Sequence, residues 1–128
     1  MMREDNMILL RSLVCVAWAD GHLAEKEREL IDALISSFDA SESQAEAIRA
    51  YAAEKKTLDD VPVEELSDDD CRVLLQHATL MTWADGEQHP DEATMLGDLA
   101  RRCGLAQAEA EQIIGYANQR AKKFLNLL

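Results

Sequence analysis

The chain of 128 residues contains few of the residues that interrupt or cross-link a fold: five glycines, two prolines and three cysteines. Such low glycine and proline contents argue against collagen-like and low-complexity disordered sequences. Cys15, Cys71 and Cys103 are odd in number and far apart, which argues against a disulfide framework and favours reduced thiols in a helical core. We therefore expect a cytoplasmic protein whose stability comes from one hydrophobic core.

Basic residues and long apolar runs are also scarce. Thirteen lysines and arginines stand against 25 aspartates and glutamates, and the formal net charge is −12. Because this charge repels phosphate groups, nucleic acids and anionic membranes are unexpected partners. No apolar stretch approaches the roughly eighteen residues that a membrane span needs. Residues 1–16 carry four charged side chains and lack the cleavage site of a signal peptide.

The sequence lacks the recognisable motifs of a catalytic centre. A P-loop, the glycine pattern of dinucleotide-binding folds, a nucleophile elbow, Cys-x-x-Cys and His-Glu-x-x-His are all missing. The three histidines also have no zinc-type spacing with any cysteine. We therefore expect no enzymatic activity and no zinc site.

Helical periodicity dominates what remains. Apolar residues recur at helical spacing, and strand-like alternation never exceeds four residues. Ser41 and Ser67 are expected helix caps, Pro90 a first helical residue and Gly104 a C-terminal cap. The pattern predicts an all-α protein with helices over about 5–19, 25–37 and 42–56, from Ser67 onwards, from Pro90 onwards and over about 107–124.

An internal repeat is the most informative feature of the chain. The tetrapeptide Trp-Ala-Asp-Gly occurs at 18–21 and again at 83–86, and a glutamate follows each glycine after six residues, at Glu27 and at Glu92. The same offset aligns apolar residues without a gap over more than forty positions. Such a register indicates an internal duplication, because chance rarely maintains it.

The duplication predicts the architecture. Each repeat of three helices exposes an apolar face, and the nearest surface that can cover it is the other repeat. We therefore expect a single domain over 1–128, a bundle of about six to seven helices with pseudo-twofold symmetry. Its first repeat covers about 5–57, its connector 58–66 and its second repeat about 67–128.

The repeat preserves acidic residues as well as apolar ones. Glu27 and Glu92 fall at the third position of their helices, where a glutamate can cap the backbone. Asp20 and Asp85 are expected at helix C-termini, where the helix dipole disfavours a carboxylate. One explanation is a turn hydrogen bond, with the following glycine in a left-handed conformation. The other is a hard divalent cation held by aspartate and glutamate oxygens.

The cation explanation defines a set of candidate ligands. Neither copy is an EF-hand, because the glycine is at the second loop position and an apolar residue at the twelfth. A site would therefore be shared between two helices, and calcium, magnesium and manganese are the candidate ions. The candidate ligands are Asp20, Glu27, Asp85 and Glu92, with Glu87 and His89 as further candidates.

A repeated Ala-Asp-Gly followed by a helix-opening glutamate, in an acidic all-helical chain, resembles the TerB-like superfamily. That group includes the tellurite-resistance protein TerB and the N-terminal domain of a DnaJ-like membrane-bound co-chaperone. The resemblance extends from Leu9 to about Arg120, and the chain departs from the commoner pattern at Ala24 and Gln88. It implies about seven helices in two related halves, a bacterial cytoplasmic setting and a divalent-metal role for the acidic residues.

Two functions follow as expectations. The first is a non-enzymatic, tellurite-resistance-like accessory module of a stress response that binds a divalent cation and a protein partner. The alternative is a protein-interaction scaffold, akin to the co-chaperone domain, in which the acidic residues are only caps and turns. Trp18 and Trp83 are expected to close the ends of the bundle, and the basic, apolar segment 120–128 to dock on the core or to contact a membrane surface or a partner. The oligomeric state is open, a homodimer included.

Overall fold

The fold consists of α-helices joined by short turns. The computed structural model describes residues 4–19, 21, 23–84 and 86–124, and of Asp60 and Phe124 it describes the backbone alone. Over these residues there are six α-helices and no β-strand, which confirms the all-α prediction. The helices are α1 (Glu4–Ala17), α2 (Glu25–Ser37), α3 (Glu42–Ala52), α4 (Asp68–Met81), α5 (Pro90–Cys103) and α6 (Gln107–Phe124), and two short 3-10 helices, Leu58–Asp60 and Val63–Glu65, lie between α3 and α4.

Capping residues set the ends of several helices as predicted. Ser41 accepts a hydrogen bond from the Gln44 amide at 3.1 Å, and the Gln44 side chain accepts one from the Ser41 amide at 3.0 Å. The Ser67 hydroxyl accepts a hydrogen bond from the Asp70 amide at 3.1 Å. Gly104 ends α5 in a left-handed conformation, with φ of 77°. Each contact satisfies backbone groups that a helix end leaves without an intrahelical partner.

Helices α1 and α4 form the centre of the molecule. From Met7 to Ala17 every residue of α1 except Arg11 is buried. Helix α1 contacts α2, α3, α4 and α5, whereas α4 also contacts α5 and α6. A helix that is apolar on nearly all sides is typical of such a central element. One core cluster draws residues from all six helices, so the chain forms a single domain around it.

Two predicted helix ends were wrong. Helix α1 ends at Ala17 instead of about 19, and α3 ends at Ala52 instead of about 56. The Ala52 carbonyl accepts a hydrogen bond from Trp18 Nε1 at 3.1 Å, and the Thr57 carbonyl accepts one from Cys15 Sγ at 3.2 Å. These contacts turn the chain after α3 back towards α1.

The connector between the repeats contains two short helical turns. One, Val63–Glu65, follows Pro62. A second turn, Leu58–Asp60, precedes it. Leu58, Val61 and Val63 are buried, so the connector forms part of the core. The pseudo-twofold superposition of the two repeats stays a prediction.

Candidate functional site

Glu27 and Glu92 occupy equivalent positions at the start of α2 and α5. The residues before these helices, Ala24 and His89, have extended backbone conformations, which places each glutamate at the third helical position. The Ala24 amide donates to Glu27 Oε1 at 3.0 Å, and the His89 amide donates to Glu92 Oε1 at 3.0 Å. Both glutamates therefore cap their helices, as the sequence predicted, where the helix dipole favours a negative charge.

The depth of burial distinguishes these two glutamates from other caps. Glu27 is 4% exposed and Glu92 is 2% exposed, and they are the only buried acidic residues among those whose side chains the structure describes. Gln44 makes the same contact at the start of α3 while only half-buried. Because capping uses one carboxylate oxygen and works at a half-exposed position, capping alone does not account for the burial. Glu27 Oε2, the oxygen that does not cap the helix, is also shielded from solvent.

The turns that precede α2 and α5 share two backbone features at their glycines. Gly21 has φ of 95° and Gly86 has φ of 89°, so both adopt the left-handed conformation that glycine favours. The Gly21 amide donates to the Trp18 carbonyl and the Gly86 amide to the Trp83 carbonyl, each at 2.9 Å. The glycine prediction is therefore confirmed in both copies.

The candidate ligands are placed only in part. Asp20 and Asp85 lie outside the described residues, so the four-residue set stays a prediction. Glu87 is exposed and His89 is half-buried beside the second turn. Within the described ranges, no group of three or more histidine, cysteine, aspartate or glutamate side chains is arranged to hold a metal ion.

The three cysteines are free thiols in the structure. Cys71 Sγ lies 3.9 Å from the carbonyl oxygen of Cys103 and 3.9 Å from that of Val63. Burial raises the pKa of the Cys71 thiol, and it raises the pKa of the Cys103 thiol strongly. Both thiols therefore resist ionisation and are poor nucleophiles at neutral pH.

A groove on the second half of the molecule was not predicted. It has a volume of about 820 Å³ and lies between α2, the end of α4 and α6. Trp83 lines it, held in place by a 2.9 Å hydrogen bond from its Nε1 to Asn118 Oδ1. The sequence analysis singled out only the basic segment from Arg120 onwards, which supplies Arg120 and Lys123 to the groove. The lining residues are Leu30, Leu80, Trp83, Ala84, Tyr116, Arg120, Ala121 and Lys123.

The two repeats differ at this groove. Tyr116 corresponds to Tyr51 in the repeat register. Tyr51 is half-buried, with the Lys56 ammonium 4.8 Å and the Arg11 guanidinium 5.9 Å from its ring centroid. Tyr116 is 63% exposed, with the Arg120 guanidinium 5.9 Å from its ring centroid. The duplicated sequence therefore carries an open aromatic surface in its second half.

None of the helices in the described ranges combines the length and the apolar character required to cross a bilayer.

Comparison with protein families identifies a match over most of the chain. The family model described as "Tellurite resistance protein TerB" matches residues 6–114. This range includes both Asp-Gly turns and both buried glutamates, and it ends before Tyr116. No significant match was found among curated proteins or among solved structures.

Proposed function

Because the chain belongs to the TerB family of tellurite resistance proteins, we propose that it is a non-enzymatic accessory module of a tellurite-resistance-like stress response in the cytoplasm. It works by binding divalent cations in its two Asp-Gly turns and by engaging a protein partner. The observation that carries the cation proposal is the burial of Glu27 and Glu92 at equivalent positions of α2 and α5, just after the two Asp-Gly turns.

The chemistry of these residues fits a hard cation. An ionised carboxylate in a water-excluded position costs several kcal/mol unless charge or hydrogen bonds compensate it. Calcium, magnesium and manganese prefer carboxylate and carbonyl oxygens, which an Asp-Gly turn followed by a buried glutamate supplies. At Glu27 and Glu92 the cap hydrogen bond and the positive end of the helix dipole offset this cost, and a bound ion would add a positive charge beside each carboxylate.

Each turn would contribute its own ligands. Glu27 with Asp20 would hold the ion in the first turn, and Glu92 with Asp85 in the second. Glu87 and His89 are further candidates in the second turn. In both turns, the hydrogen bond from the cap amide to Oε1 fixes where the carboxylate lies.

A second candidate function needs no metal. The capping contacts of Glu27 and Glu92 are complete at 3.0 Å, and an interaction scaffold would use them only to hold its turns. The groove beside Trp83 supports such a role, because an open apolar surface with a polar rim is typical of an interaction site.

Calorimetric titration of the EDTA-treated protein with calcium, magnesium and manganese tests the cation proposal. We expect saturable binding of at least one ion, with two sites per chain because each repeat supplies one. No binding heat at millimolar concentrations of any of the three ions would overturn the proposal and leave the scaffold as the function.

A further inference from the structure

We propose that the groove between α2, the end of α4 and α6 is the docking site of an acidic amphipathic helix from a partner protein. The inference rests on the proposed function only in its claim that a protein partner exists. It does not depend on metal binding, because the candidate ligands in the described part of the chain, Glu27, Glu87, His89 and Glu92, do not line the groove.

The floor of the groove is apolar and comes from three helices and the turn after α4. Leu30 belongs to α2, Leu80 to α4 and Ala121 to α6, and Trp83 and Ala84 follow α4. A shallow surface of this kind suits a helix that inserts side chains at positions i, i+3 or i+4, and i+7.

Tyr116 provides an anchor at the edge of this floor. It is 63% exposed, and the only other large hydrophobic residue exposed in the described part of the chain is Val73, at 39%. Tyrosine and arginine are enriched among the residues that dominate binding energies at protein interfaces. Arg120 lies against the Tyr116 ring, so both residue types occur together at the groove.

Three cations border the groove, on a protein whose net charge is −12. Arg120 and Lys123 line it, and the Lys122 ammonium lies 5.4 Å from the Trp83 ring centroid. None of the three forms an ion pair with an acidic residue in the described ranges, whereas Arg49, Arg72, Arg101 and Arg102 each do. Two of them, Lys122 and Lys123, lie in the last turn of α6, where the negative end of the helix dipole favours a positive charge. Within the described ranges, no carboxylate neutralises their positive charge, which an anionic partner could therefore meet.

The net charge of the whole molecule selects a peptide over an extended anionic surface. A membrane or a nucleic acid presents many negative charges over a wide area, and a chain with a net charge of −12 repels it. A short helix meets only the local cations, because charges farther away than the Debye length, about 8 Å at physiological salt, are screened. An acidic helix with an apolar face therefore fits both the floor and the rim.

A phage-displayed library of 16-residue helical peptides tests the proposal. We expect selection on the wild-type protein to enrich peptides with an apolar stripe flanked by aspartate and glutamate. In fluorescence anisotropy, the affinity of the enriched peptides should fall at least tenfold in Arg120→Glu/Lys123→Glu. The matched control, Lys55→Glu/Arg101→Glu, makes the same charge change at exposed residues outside the groove, and its affinity should change less than twofold. Circular dichroism verifies that both variants fold.

Three results would overturn the proposal: no enrichment, enrichment of basic peptides, or equal binding to the groove variant and the control. Binding of phosphatidylglycerol vesicles that the groove variant loses, without peptide enrichment, would identify the site as a membrane contact instead. All measurements are made in EDTA and again with magnesium. Peptide binding in EDTA would support this proposal whether or not the Asp-Gly turns bind cations.

Discussion

At the scale of a single residue, Glu27 and Glu92 each cap a helix with a buried carboxylate. One carboxylate oxygen accepts a hydrogen bond from the amide of the N-cap residue, and the side chain is buried. Glutamine retains an oxygen that can accept the same hydrogen bond, but it loses the negative charge. Substitution of glutamate by glutamine therefore separates the cap from the proposed ligand.

For Glu92→Gln we expect the stability of the metal-free protein to change by less than about 0.5 kcal/mol, because glutamine completes a capping box as glutamate does. The number of bound cations should fall from two to one, because glutamine is a poor ligand for a hard cation. Urea unfolding in EDTA and calorimetric titration measure the two effects.

Gln44→Glu is the matched control, since it introduces a glutamate at the equivalent position of α3, where no Asp-Gly turn precedes the helix. This variant should bind no additional ion. If Glu92→Gln kept both sites, Glu92 would not be a ligand.

The thiols of Cys71 and Cys103 should make the free energy of unfolding depend on pH in the alkaline range. Burial raises their pKa in the folded state, so the unfolded chain releases these protons at lower pH than the folded chain. Their contribution to stability is complete below the ordinary thiol pKa of about 8.5. Above that pH the contribution declines, because the folded state binds more protons than the unfolded state.

We therefore expect the free energy of unfolding to fall between pH 8.5 and 10, by at most about 1.4 kcal/mol per pH unit for Cys71. Urea denaturation at a series of pH values measures this slope. In Cys71→Ala/Cys103→Ala the slope should flatten, and an equal slope in the variant would show that other groups cause it.

At the scale of the element, the sequence determines where helices begin more clearly than where they end. The starts of α2 to α5 follow local signals, a serine, a proline or a glutamate three residues into the helix, and the structure contains them as predicted. The ends of α1 and α3 depend on Trp18 and Cys15, which donate to carbonyls 34 and 42 residues away along the chain. Helical periodicity holds no information on such distant contacts.

The α3 cap provides a test at this scale. Ser41→Ala removes the acceptor of the Gln44 amide, and we expect a loss of about 1 kcal/mol in the free energy of unfolding. Ser43→Ala, at an exposed position inside the same helix, should be neutral or slightly stabilising, because alanine has the higher helix propensity. Equal effects of the two substitutions in urea unfolding would show that the cap contributes nothing.

At the scale of the whole molecule, the sequence predicted the helical class and the single core but missed the groove. The duplicated register implied that Tyr51 and Tyr116 have similar surroundings, whereas Tyr51 is half-buried and Tyr116 is largely exposed. Leu30 and Leu80 join Tyr116 only because α2, α4 and α6 converge there. A surface assembled from three distant segments is not visible in any one of them.

The central claim is that the paired Asp-Gly turns bind divalent cations. Its most direct test is the melting temperature of the wild-type protein and of Asp20→Asn/Asp85→Asn, each in EDTA and in a series of metal concentrations. Binding to the folded state stabilises it by RT ln(1 + [L]/Kd), which is about 2.7 kcal/mol at a concentration of 100 Kd for one site. We expect the wild-type melting temperature to rise with the metal concentration. The double variant should not respond, and in EDTA it should melt at the wild-type temperature or slightly above, because the sequence places both carboxylates shortly after the C-terminal ends of α1 and α4, where the helix dipole disfavours a negative charge. A wild-type protein indifferent to millimolar calcium, magnesium and manganese would contradict the claim, most clearly if the double variant also lost more than about 1 kcal/mol in EDTA, the size of an ordinary hydrogen bond.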